Sequence, residues 1–586
     1  MAYLLLDSNA ITVFIRYELR QIFVLDLLYW QWVSLAACLL LCVNPWLVPA
    51  RTLSWLRIRF HVLAQNRATA VLICALFPMV IRVALLPAIP IKPPSVHDEF
   101  SLLLMADTFH SGRLTNPTHP YWTHFETIHV IQKPTYASMY QAGAGVLLAI
   151  GQFVHNPWVG VLLSVGFMCG AVCWMLQAWM PPAWAFCGAL VTALQIGIGG
   201  YWMNSYFGGA LPAAAGALLI GAMPRFLRKP AWITAAVFAM SIVILVNTRP
   251  FEGFVLTSLC VGIAILWRWT GVLGKPVIRW PALLAPAVII HAVGGSFTVY
   301  YSWRVTGNPT KIPYVVNRET YGWPENLAFL PPQKVIYRHE ILKHMHEAEL
   351  ANRQSYSSFG YMVESWIARA VLIWEFFVGP ALTIPLLMLP WTIRSRKFRT
   401  LFYIVLVMWA LNLTQLMSYP QHVAPQSSLF YLLVVGGMRQ LYVLARRWGI
   451  LPERVIASLI LCLACGAGLK LSGEPLHFWM TFWERPYFPQ RDARAAIVSK
   501  LQDMPGKHVV FVRYMSTHSP HEEWVYNAAD IDASKIVWAN SMTRQEDTEL
   551  RDYYHDRQAW IVEPDTDPTG FLPFWSKSHL RYGPFQ

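Results

Sequence analysis

Four consecutive residues, His97-Asp98-Glu99-Phe100, follow an apolar run of membrane-crossing length that ends at Pro90. Adjacent carboxylates placed where a helix leaves a bilayer are costly unless they are used or solvated, because partial desolvation disfavours their charged form. One use is chemical, with a carboxylate taking the proton of an attacking group. The other is structural, since an acid in the first turn caps the following helix and is favoured by its dipole. Residue type and spacing leave both uses open for this pair.

The same segment is rich in histidine, at His97, His110, His119, His124 and His129. His124 and His129 flank Glu126, but a spacing of five puts them on different faces of a helix, unlike the i, i+4 pairs of zinc helices. No metal site is expected from that pair. Tyr121, Trp122, Tyr136, Tyr140, Tyr201, Trp202 and Tyr206 have the rings to stack on sugars, and equally the composition of an interfacial aromatic belt. Near the C-terminus, His518, His521, Glu522, Glu523, Asn527, Asp530 and Asp532 follow an expected strand, a place where α/β domains bind ligands and also where solvated capping loops occur. A Gly-rich phosphate loop, a nucleophile elbow and a metalloprotease helix are all missing.

The elements that must position these residues are set by composition. Only 13% of the 586 residues are charged, about half the share of an ordinary soluble chain, while 55% are hydrophobic and mean hydropathy is +0.39. A purely soluble protein is excluded. Apolar runs at 28–49, 69–90, 156–179, 183–199, 207–224, 231–247, 251–267, 280–301, 366–391, 400–418, 427–444 and 453–470 predict about twelve transmembrane helices, and Ala142–Val154 is too short to cross alone. Alternate loops collect 17 basic residues, from Arg51 to Arg454, which places them in the cytoplasm. The loops 91–140 and 302–365 and the C-terminal tail then face outside. The net charge of +14 belongs to these cytoplasmic loops and does not imply nucleic acid. The N-terminus has no basic n-region or small-residue cleavage site, so no cleaved signal peptide is expected. All nine cysteines lie in apolar runs and read as packing residues.

Residues 485–586 carry 12 basic and 14 acidic side chains, the density of a soluble domain. Their pattern predicts a helix at Asp492–Gln502, strands at His508–Tyr514, Lys535–Trp538 and Ala559–Glu563, and a helix at Thr543–Tyr554. In loop 91–140, Leu102–Met105 and Phe109 recur at helical spacing and predict an interfacial amphipathic helix, and a similar stretch lies near Lys334–Asn352.

The stretch HDEFSLLLMADTFHSGRL, with KPTYASMYQAGAGVLLA after it, resembles the first extracytoplasmic loop of the GT-C superfamily of membrane glycosyltransferases, such as protein O-mannosyltransferases and the aminoarabinose transferase of lipid A. Asp98 and Glu99 match the acidic pair of that superfamily's D-E-x-x-Y-type motif, although Leu102 stands where Tyr is frequent. Lys133-Pro134 and Tyr140-Gln141 each lack one Pro of the following segment. The likeness covers mostly residues 69–180.

This resemblance implies transfer of a sugar from a polyprenyl-phosphate donor to a glycan, lipid or protein acceptor outside the membrane, by inversion. Asp98 would be the general base, with Glu99 orienting the acceptor or helping to hold a divalent cation if one is used. No other cofactor is implied. Arg249, Lys133 and His422 would hold the donor phosphate, and His97, Tyr140 and Glu252 would line the substrate. Arg249 has a competing structural role, as an ion-pair partner of Glu252 closing a helical hairpin.

The reading is therefore an all-α polytopic bundle of GT-C type (1–484) in a bacterial inner membrane, with a small extracytoplasmic α/β domain (485–586). Its rivals are a transporter or flippase of lipid-linked glycans, which would want charges at midplane depth and paired broken helices, and a non-enzymatic assembly or sensing protein.

Overall fold

The computed structural model describes residues 50–272, 280–322, 335–472 and 490–574. The expected span at 28–49 lies outside them. Helices α1 (Ala50–Gln65) and α2 (Arg67–Ala84) lead into the first outer loop, which holds α3 (His97–His110) and a two-stranded ribbon, β1 (Val130–Ile131) and β2 (Ala137–Ser138). The chain re-enters the apolar body through α4 (Ala142–Gln152), a half-length helix as its sequence predicts, and α5 (Trp158–Trp179). Next come α6 (Pro182–Thr192), a π-helical turn at Ala193–Ile198, α7 (Ala210–Arg228), α8 (Trp232–Val246), α9 (Pro250–Thr270) and α10 (Trp280–Thr306).

Five helices among the described residues are long and apolar enough to cross a membrane: α2, α5, α7, α9 and the Pro420–Arg447 segment. A sixth would be α11 (Phe359–Phe377) with α12 (Gly379–Leu386), which bend by 95° at Gly379, whose φ of +62° suits glycine. Twelve full spans were expected. Part of the difference arises because two of the expected runs form helices too short to qualify, α8 and α6 with its π turn, and the run at 28–49 lies outside the described residues. Small residues along α7 allow close helix approach, and a Cβ at Gly221 would lie 2.7 Å from the Trp174 ring of α5.

Residues 490–574 form α13 (Gln490–Asp503), β3 (Lys507–Val512), β4 (Ile536–Asn540), α14 (Arg544–Tyr553), β5 (Arg557–Val562) and β6 (Leu572–Pro573). The sheet order is β4-β3-β5-β6, parallel except for β6, and β3 and β4 are buried along nearly their whole length, as in sheets covered on both faces. Thr543 caps α14 in a capping box with Glu546.

This lobe sits directly on the first outer loop. Phe100 stacks on Tyr526 with centroids 4.4 Å apart, Arg494 covers the Phe100 ring at 4.7 Å, and Asp107 accepts the Ala529 N–H at 2.6 Å. Asn540 donates to the Glu126 carbonyl at 2.8 Å, and Tyr526 to the Ile128 carbonyl at 3.3 Å. The amphipathic pattern of α3 predicts a helix lying on the membrane surface. Instead it is covered on both sides, so Leu102, Leu104, Met105, Ser101 and Thr108 are all buried. The second outer loop, with helices Pro313–Tyr321 and Glu340–Ser355, closes a further flank through a buried Arg318–Glu349 pair at 3.1 Å and a His339 Nε2–Thr123 O contact at 2.7 Å.

Candidate active site

The acidic pair separates because successive residues of a helix point about 100° apart. Glu99 is buried and fully engaged: one oxygen accepts the Ser95 N–H at 2.8 Å and the Val96 N–H at 3.3 Å, and the other accepts the Tyr206 N–H at 3.0 Å. It caps α3 and ties in the 200–206 turn, so the capping use applies to Glu99, and its oxygens are not directed at a substrate.

Asp98 points the other way, into a cluster of polar rings. Its Oδ1 accepts a short hydrogen bond from the Tyr140 hydroxyl, Oδ2 lies 3.3 Å from His97 Nε2, and His129 Nδ1 lies 3.4 Å from Oδ1 and 2.9 Å from the Tyr140 oxygen. Ser101, one turn along the same face, fixes the far side of the cluster by donating to the His129 carbonyl at 2.7 Å and meeting Ser138 Oγ at 2.7 Å. Burial works against a charge on Asp98, but the imidazoles of His97 and His129 and the bonds from His129 and Tyr140 outweigh it and hold the carboxyl well below the usual carboxylate range. Burial also pushes His97 well below its ordinary value, opposed by the Asp98 carboxylate that its Nε2 faces. A fourth ring enters from the lobe, where His521 stacks on His97 with centroids 5.4 Å apart.

The charges of Asp98 and Arg249 both reach Tyr140 and His422. Arg249 ends the α8–α9 turn, which is drawn against α4 by a Gly143 N–H bond to the Asn247 carbonyl at 2.8 Å. That approach needs glycine: a Cβ on Gly143 would lie 2.5 Å from Thr248 and 2.6 Å from the Asn247 carbonyl. The half-buried Arg249 guanidinium has no hydrogen-bond or ion-pair partner among the described residues. Glu252 does not take it; its buried carboxylate meets Gln415 Nε2 at 3.4 Å. His422 Nδ1 accepts the Tyr419 N–H at 3.1 Å, which puts the ring proton on Nε2 as a free donor. Arg369, not singled out by any sequence signal, anchors the chain leading to His422 by donating to the carbonyls of Asn412, Gln415 and Leu416.

Lys133 is not part of this cluster. It is exposed, over the Trp122 ring at 4.1 Å, where Arg338 also stacks at 4.8 Å. His124 pairs with Asp547 of the lobe at 3.5 Å and His119 with Asp532 at 3.2 Å, so neither joins His129. Tyr201 and Trp202 are buried in the body. His97, Asp98 and His129 each offer a ligand atom within 4.8 Å of the others, a mixed N/O set of the type that holds a divalent cation.

No protein-family model and no curated protein sequence matches the chain. Solved structures do resemble it over most of its length. ArnT from Cupriavidus metallidurans bound to undecaprenyl phosphate is 12% identical, with TM-score 0.48 over 84% of this chain and 93% of that one. The oligosaccharyltransferase of Archaeoglobus fulgidus, in complex with Zn and sulfate, is 12% identical, with TM-score 0.45 over 84% and 67%. The archaeal AglB from the same organism, with an inhibitory peptide and a dolichol-phosphate, is 10% identical, with TM-score 0.43 over 85% and 69%. Both neighbours are GT-C glycosyltransferases.

Proposed function

We propose that this protein transfers a sugar from a polyprenyl-phosphate carrier to an acceptor hydroxyl at the outer face of a bacterial inner membrane, with the lobe on the same side. The observation that carries this reading is an Asp98 carboxylate held ionised, in the loop whose sequence resembles the GT-C motif, with an unpaired Arg249 from the α8–α9 turn whose charge reaches the same Tyr140 and His422.

The acceptor oxygen attacks the anomeric carbon and its proton passes to an Asp98 oxygen. The bond from that carbon to the phosphate oxygen breaks, and the phosphate leaves with the electron pair. Arg249 supplies a fixed charge with paired donors for the departing phosphate, and His422 Nε2 supplies one more donor. A carboxylate held so low is a weak base in the resting protein. Arrival of an anionic phosphate beside it raises its proton affinity, because like charges disfavour ionisation, and so moves Asp98 towards a useful range when donor is bound. Tyr140 and His129 keep the accepting oxygen oriented until the acceptor hydroxyl replaces one of them. A divalent cation held by His97, Asp98 and His129 would add charge stabilisation for the leaving phosphate.

The test is mass spectrometry of surface glycans and lipid-linked sugars in a deletion strain carrying wild type or Asp98→Asn. A general base contributes about 10²–10⁴ in rate, so the variant should leave the sugar untransferred while the protein remains folded. Full restoration by Asp98→Asn would sink the assignment.

A further inference from the structure

His521 of the lobe reaches the reaction centre. His521 lies on a short 3-10 turn (Pro520–Glu522), and its ring faces that of His97 at 5.4 Å with an interplanar angle of 26°. His97 is otherwise held by one long contact to Asp98, 3.3 Å from Nε2, and by an edge contact to His129 at 4.3 Å. Its Nδ1 is buried with no hydrogen-bond partner. Stacking by His521 is therefore what closes the remaining face of the ring. The turn is itself held from behind, where His518 pairs with Asp565 at 2.7 Å and donates to or accepts from no substrate-facing group, while Glu523 is engaged by the Tyr514 hydroxyl and the Val525 N–H. Through this ring contact the lobe reaches His97, whose Nε2 lies 3.3 Å from Asp98.

Resting on the glycosyl-transfer reading above, we propose that His521 is a positioning residue of the reaction centre, holding His97 against Asp98 and shielding that flank of the carboxylate from bulk water. The shield matters chemically because water is a competing acceptor. A water molecule beside Asp98 would attack the anomeric carbon, give its proton to the same carboxylate and release the phosphate, leaving free sugar instead of product. The lobe thus takes part in choosing between transfer and hydrolysis.

The test uses full-length His521→Ala and His521→Phe in the deletion strain, alongside Asp98→Asn. Transferred sugar and remaining lipid-linked donor are quantified together, and the melting temperature of each purified protein is measured in detergent. His521→Ala should lower transferred sugar at least several-fold without donor accumulating, because donor is spent on water, and the melting temperature should stay within about 2–3 degrees of wild type. His521→Phe keeps a stacking ring and should restore most of the transfer. Asp98→Asn, by contrast, should lose product while donor accumulates. If His521→Ala transfers as well as wild type, or loses product only with a large fall in melting temperature that His521→Phe does not repair, the positioning role is wrong. If Asp98→Asn itself transfers normally, the failure lies with the glycosyl-transfer reading instead.

Discussion

Replacing Arg249 with Ala removes a cation that has no hydrogen-bond or ion-pair partner among the described residues. Its guanidinium is half-buried, has no partner among the described residues and faces the same groups as Asp98. A hydrogen bond to a charged group is worth about 1.5–3 kcal/mol. At about 1.4 kcal/mol per tenfold, carrier affinity should fall roughly 10- to 150-fold. The start of α9 directly after Arg249 contributes a further favourable field of about 0.3–1 kcal/mol that survives the substitution, so binding should weaken without vanishing. Undecaprenyl phosphate is a suitable probe, titrated against the full-length protein in detergent by native mass spectrometry. Arg249→Lys keeps the charge and loses the paired donors, and should recover part of the affinity. Because no folded-state partner is lost, the melting temperature should not change. Carrier binding within twofold of wild type would refute the phosphate role, and a sharp drop in melting temperature would restore the alternative of a hairpin-closing pair.

Two further outcomes separate structural from chemical groups. Glu99→Gln turns one acceptor of backbone N–H groups into a donor, so it should cost about 1–3 kcal/mol of stability, read as a lower melting temperature, while the folded fraction keeps its activity. Activity lost with stability intact would place Glu99 in the chemistry. His339, between the two outer loops, is pushed down to about 4, chiefly by burial, partly offset by its bond to the Thr123 carbonyl. The folded state therefore binds fewer protons than the unfolded one between about pH 6.5 and 4, and stability should be flat above that window and fall by up to ~1.4 kcal/mol per pH unit within it. Thermal melts across pH 4–8 for wild type and His339→Gln check this, and equal slopes for the two would contradict it.

Much of this arrangement is legible along the chain because it depends on local pattern. The strands and helices of residues 490–574 follow from short apolar runs broken by turn residues, and Thr543 announces its helix with a capping box. Asp98 stands out by its place after a long apolar run. What local pattern cannot supply is the partition between neighbours: Asp98 and Glu99 are equivalent until the helix start is fixed to the residue, and only then does one cap and the other face the rings. His129 and His521 were visible as histidines, but their partners, Asp98 and His97, lie 31 and 424 positions away, and no periodicity links them. Lys133 carries the right charge in the right loop, yet its chain segment turns it onto Trp122. Arg369 gives no signal because it acts on backbone carbonyls brought to it by a separate helix.

Because the lobe follows the helical body along the chain, the docking of Tyr526, Asn540 and Asp532 onto a loop some 400 residues earlier has a consequence for biogenesis. The first outer loop must wait outside the membrane, uncovered, while every later helix is inserted. During that interval His97 lacks His521 as a stacking partner, so on the proposed reading a nascent chain engages carrier before it can direct the sugar. Docking of the lobe then completes the site only after the helical body has formed.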